Sequence, residues 1–66
     1  MLHNLLAEMA RREITTEKLA QVAGINERTA YNKIREISKF TIKQSIAIQE
    51  QLFPECELKY LFASTK

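Results

Sequence analysis

Arg28, Asn32, Arg35 and Lys39 are spaced to share one face of a helix. At 100° per residue all four fall within about 40° of the direction opposite Ala30. Ile34 and Ile37 fall within about 40° of Ala30 itself, so the spacing predicts a buried stripe of Ala30, Ile34 and Ile37 with an acid-free basic face behind it. Exposed helix faces gain a little from mixed-sign pairs four residues apart, which this face lacks. A partner with closely spaced negative charge is what asks for it. The residue types narrow the chemistry further. Arg can grip the O6 and N7 of guanine bidentately, and Asn the N6 and N7 of adenine. Arg28 and Asn32 stand four apart, which suits a helix lying in a major groove. Glu27, in the first turn, can accept from a cytosine amine or simply favour the helix dipole. Tyr31 lies about 100° from Ala30, where it either touches a sugar-phosphate or thymine methyl or packs as a half-buried aromatic.

The elements that must position this face are legible from apolar spacing and caps. Period-2 alternation is absent, so the chain is predicted all-α. Leu2, Leu5, Leu6 and Met9 predict a first helix to about Arg12, with Ile14 anchoring the connection to the second helix in the core. Thr15 can N-cap that second helix, with Glu17 in its first turn, buried through Leu19, Ala20, Val22 and Ala23. It stops at Gly24, the only glycine, where a left-handed residue is wanted. Asn26 can cap the third helix behind Ile25 in a staple position. With no Gly or Pro before Ser38, that helix is expected to run a turn longer than usual. Thr41 and Gln44 fit a capping box for a fourth helix from Ile42 to about Phe53, packed by Ile42, Ile46, Ile48, Leu52 and Phe53 and ended by Pro54. Leu58, Leu61 and Phe62 mark a short fifth helix before a polar tail.

Sixty-six residues make a single domain, 1–66, too small for a deep catalytic cleft. A binding surface, not an enzyme, is expected. The net charge of +2 decides little, but residues 25–43 hold Arg28, Lys33, Arg35, Lys39 and Lys43 against only Glu27 and Glu36, which points to an anionic partner for that segment. A single cysteine, Cys56, excludes a disulfide framework. With no export signal and no apolar run near the roughly 20 residues of a membrane span, a cytoplasmic protein is expected. His3 is isolated, Cys56 has no metal-ligating neighbour, and Glu50, Glu55 and Glu57 read as a solvated edge. No zinc motif or phosphate-cradling Gly loop occurs, so neither a metal nor a cofactor is expected.

The stretch LAQVAGINERTAYNKI resembles the helix-turn-helix of the XRE family, the lambda-repressor-like and Cro-like DNA-binding domains. Leu19-Ala20, Gly24-Ile25 and the polar run from Asn26 carry the match. The later FTIKQSIAIQEQLFPECELKYLFA looks like the last two helices of repressors from phages of Gram-positive bacteria, so the similarity covers residues 2–63. It implies a compact five-helix fold with helices 2 and 3 as the helix-turn-helix. It also implies a DNA-binding transcriptional regulator, most plausibly a stand-alone Cro-type phage or prophage repressor bound to a double-stranded operator. Position by position, it implies that Glu27, Arg28 and Asn32 read bases. Thr16, which stands where a Gln is common, would meet the DNA backbone with Asn26, Tyr31, Arg35, Lys39 and Lys43. Three departures stand out. Met9 and Ile34 occupy positions where many members pair Arg with Glu, Ala30 replaces a larger aliphatic that a neighbour such as Phe40 must compensate, and Arg35-Glu36-Ile37 replaces a Gly-containing turn.

Leu58, Tyr60, Leu61 and Phe62 are more than one short helix can bury on a single face. Family members commonly dimerise through this end, matching half-sites about 34 Å apart. A homodimer through the C-terminal helix is one reading, and capping of the core is the other. An antitoxin or repressor-modulating protein of the same fold, acting mainly on a protein partner, is the alternative function.

Overall fold

The computed structural model describes residues 1–63; residues 64–66, the polar tail and the end of the expected 1–66 domain, lie outside the described residues. All regular structure among the described residues is helical: α1 (His3–Arg11), α2 (Thr16–Ala23), α3 (Glu27–Ile34), α4 (Ile42–Leu52) and α5 (Leu58–Leu61). Three of the five starts are built by side chains. Thr15 Oγ1 accepts from the Lys18 N–H at 3.1 Å and Asn26 Oδ1 from the Thr29 N–H at 2.7 Å. At α4 the capping box is complete, with Gln44 N–H to Thr41 Oγ1 at 3.1 Å and Thr41 N–H to Gln44 Oε1 at 3.0 Å. Each such cap satisfies helix N–H groups that have no partner within the helix, and is worth about 1 kcal/mol.

The first three helices end in one shared manner. Glu13, Gly24 and Glu36 all adopt left-handed backbone, with φ of 55°, 73° and 65°. In each case that residue's N–H returns to a carbonyl three residues earlier, and the following isoleucine's N–H to one five residues earlier. The pairs are Glu13 to Ala10 and Ile14 to Met9, Gly24 to Gln21 and Ile25 to Ala20, and Glu36 to Lys33 and Ile37 to Asn32, at 2.9–3.3 Å. This is the Schellman arrangement, which satisfies the last carbonyls of a helix.

It also corrects the expected length of α3. The helix closes at Ile34 without needing a glycine, so Arg35, Ile37 and Lys39 are not placed by helical periodicity. Ile14 and Ile25 pack against the core beside the buried residues Met9 and Ala20 that accept their N–H bonds. Ile37 answers instead to the polar Asn32 and stays 67% exposed. The predicted Ala30–Ile34–Ile37 stripe therefore keeps only Ala30 and Ile34.

The core joins Leu2, Leu5 and Met9, Leu19 and Ala20, Ala30 and Ile34, and Ile48, Phe53 and Leu61. Ala20 and Ala30, both small and almost fully buried, leave room for α2 and α3 to pack closely in the core. Met9 and Ile34 are buried too. Phe40 packs on the core and meets Phe62 edge to face, with ring centroids 5.5 Å apart. The expected packing of α4 is revised: Ser45 and Ile48 face inward, while Ile42 is 78% and Ile46 40% exposed. Burying Ser45 carries no unmet polar group, because its hydroxyl donates to the Thr41 carbonyl at 2.9 Å.

A second buried polar residue ties the two chain ends together. Glu8, 4% exposed, accepts from the Tyr60 hydroxyl at 3.0 Å and pairs with Arg11 and Arg12 at 3.5 and 3.6 Å. Asn4 Nδ2 donates to the Tyr60 carbonyl at 2.9 Å. Among the described residues no helix is long and apolar enough to cross a membrane.

Candidate nucleic-acid interface

The two helices that carry the proposed recognition face are joined by three residues, Gly24, Ile25 and Asn26, each doing a separate job. Gly24 takes the left-handed turn, Ile25 packs beneath it, and Asn26 caps α3. Because Asn26 Oδ1 is committed to the Thr29 N–H, only its amide NH2 remains for an outside acceptor.

Thr16, Glu27, Arg28 and Tyr31 line one shallow, open groove between the start of α2 and the outer face of α3. Four residues expected to meet DNA are thus brought together by the angle between the two helices. Glu27 and Arg28 are exposed and Asn32 is half-buried. Tyr31 is 52% exposed, so it is not the half-buried packing aromatic that was one reading of it. The Arg35 guanidinium lies 5.4 Å from its ring centroid, a geometry in which the ring face attracts the cation. That contact draws Arg35 back beside the groove although it no longer belongs to the helix.

The remaining cations are distributed differently from the helical expectation. Lys33 Nζ donates to the Lys39 carbonyl at 2.8 Å and lies 6.0 Å from the Phe40 ring centroid, so its ammonium serves the 35–41 turn. Lys39 is exposed on that turn, and Lys43 is exposed in the first turn of α4, lining a hollow with Gly24. Among the described residues the ion pairs are Met1 with Glu36, Glu8 with Arg11 and Arg12, and Arg12 with Glu55. Arg28, Arg35, Lys39 and Lys43 therefore have no carboxylate partner among the described residues. Of the two acids next to them in sequence, Glu36 takes the amino terminus as a partner, while Glu27 lines the groove beside Arg28.

At the other end of the molecule Leu61 is fully buried and belongs to the core, not to a partner surface. Tyr60 is 40% exposed with its hydroxyl held by Glu8. Leu58 and Phe62 line an open apolar groove with Phe40, Ile42 and Ala63. Like Ile37, Ile42 and its neighbour one turn on, Ile46, are exposed although periodicity assigns them to the core. Their signal was present in the pattern, since Ile42 and Ile46 share a face that Ile48 does not. Tyr60 gains a raised pKa from donating to Glu8, supported by partial desolvation. No protein-family model, curated protein or solved structure matches this chain.

Proposed function

We propose that this protein is a sequence-specific double-stranded DNA-binding regulator of transcription, of the Cro-like repressor type, with α3 in the major groove and α2 across the backbone. The observation that carries this reading is the groove of Thr16, Glu27, Arg28 and Tyr31 beside cations that have no acidic partner among the described residues. A helix such as α3, about 10–12 Å across with its side chains, fits a major groove about 12 Å wide. Arg28 and Asn32, with Glu27, would read base edges. Thr16, Asn26, Tyr31, Arg35, Lys39 and Lys43 would meet sugars and phosphates.

A homodimer would supply the second half-site. The exposed Ile42 and Ile46 beside Leu58 and Phe62 support self-association, with Tyr60 at its edge. The same apolar surface supports the second reading, an antitoxin or repressor-modulating protein whose main partner is another chain.

Selection of random duplex DNA by the purified protein tests the first reading. An enriched palindrome is expected, with Arg28→Ala losing about 1–3 kcal/mol on that site and discrimination at one base pair. No enrichment, or equal loss on every sequence, would remove Arg28 from base reading.

A further inference from the structure

A second concave site lies apart from the α2–α3 groove. The 35–41 turn, α4 and the end of α5 enclose a half-open cavity of about 160 Å³. Leu2, Phe40 and Phe62 supply its apolar walls, and Lys33, Glu36, Ser38, Lys39 and Ser45 its polar ones. We propose that this cavity is a binding site for a small aromatic monocarboxylate, of the size and chemistry of benzoate.

Its size sets the first limit. Apolar cavities of about 150 Å³ hold one benzene ring, so a single six-membered ring fits and a fused system does not. The walls set the second. Phe40 and Phe62 already meet edge to face at 71° between ring planes, and a third ring between Phe and Leu2 can continue offset or edge-to-face contact. Charge sets the third. Lys33 Nζ uses one of its three donors on the Lys39 carbonyl and is kept beside the Phe40 ring by that bond. Its remaining donors suit a carboxylate at the open mouth, and Lys39, which also lines the cavity, adds a second positive charge nearby. Glu36 also lines the cavity, but its carboxylate is bonded to the amino-terminal ammonium, which offsets its repulsion of an anion. Ser45, whose hydroxyl donates to Thr41, offers only an acceptor there, so it does not compete for the carboxylate.

This site can fail without the DNA reading failing, because its test involves no nucleic acid, although Lys39 is a residue the two readings share. Titration of the protein with sodium benzoate, followed by two-dimensional amide NMR, is the experiment. Saturable shifts confined to Leu2, residues 33–45 and Phe62 are expected, with a dissociation constant on the order of 1 mM for so few ligand atoms. Benzyl alcohol, which keeps the ring and loses the charge, and acetate, which does the reverse, should each bind at least about fivefold more weakly. Lys33→Met and Lys39→Met should each weaken benzoate by a similar factor. The Lys39 variant keeps the test valid if the Lys33 variant is poorly folded, since only the Lys39 carbonyl is used in the turn. The proposal is overturned by the absence of saturation, by benzyl alcohol or acetate matching benzoate, or by benzoate binding unchanged in a folded variant.

Discussion

The salt dependence of DNA binding can be worked out from which cations the fold leaves available. The sequence offers five basic residues between 25 and 43, which would imply a slope of log K against log salt near −4 to −5. The structure places one of them elsewhere, because the Lys39 carbonyl and the Phe40 ring hold the Lys33 ammonium at the cavity beside the 35–41 turn. With Arg28 kept for base edges, the three cations placed on phosphates, Arg35, Lys39 and Lys43, correspond to a slope of about −2.7 per protomer, and about twice that for a dimer on a palindrome. A single protomer should therefore lose roughly 40-fold in affinity between 50 and 200 mM salt. Fluorescence anisotropy with a labelled duplex at five salt concentrations measures this directly. Lys43→Ala should make the slope shallower by about 0.9, whereas Lys33→Met should leave it unchanged. A slope shallower than about −1 would refute nucleic-acid binding through this surface. A Lys33→Met effect as large as that of Lys43→Ala would refute the assignment of Lys33 to the turn.

Gly24 sits at φ 73° with nothing within 4 Å of an added Cβ, so Gly24→Ala should cost only the left-handed backbone penalty, about 1 kcal/mol. That is a fall of about 4–8 °C in Tm for a domain this small. Glu13→Gly, at the same backbone geometry, should raise Tm, and a fall in calorimetry would contradict the shared helix-end account. Tyr60 donates to Glu8, which raises its pKa above the ordinary value of about 10. The neutral phenol is thus favoured in the folded state, and its contribution is complete below pH 10. It is lost as pH rises from 10 through the folded pKa, so urea midpoints of the wild type should fall towards those of Tyr60→Phe over that range. A constant difference between the two would disprove the linkage. Ile42→Lys, at a position 78% exposed, should abolish self-association in sedimentation while leaving Tm nearly unchanged. A large loss of Tm would place Ile42 in the core after all.

Local chemistry alone determined much of this protein. Thr15, Asn26 and the Thr41–Gln44 pair act within one turn, so the starts of α2, α3 and α4 were readable from residue order. Gly24 likewise marked the end of α2, because left-handed backbone favours a residue without Cβ. The grouping of Glu27, Arg28 and Tyr31 also followed from their position in the first turns of α3. Tertiary structure decided what those short-range signals do not reach. Glu13 and Glu36 end helices in left-handed backbone, a strain no residue type announces. Ile37 turns outward because the residue it would fold against is Asn32. On α4 the inward face is chosen by the neighbouring helices, which take Ser45 and Ile48 and leave Ile42 and Ile46 in solvent. Glu8 is buried only because Tyr60, Arg11 and Arg12 converge on it. Apolar spacing names the candidates for burial, whereas the shape and polar partners of the surrounding elements choose among them.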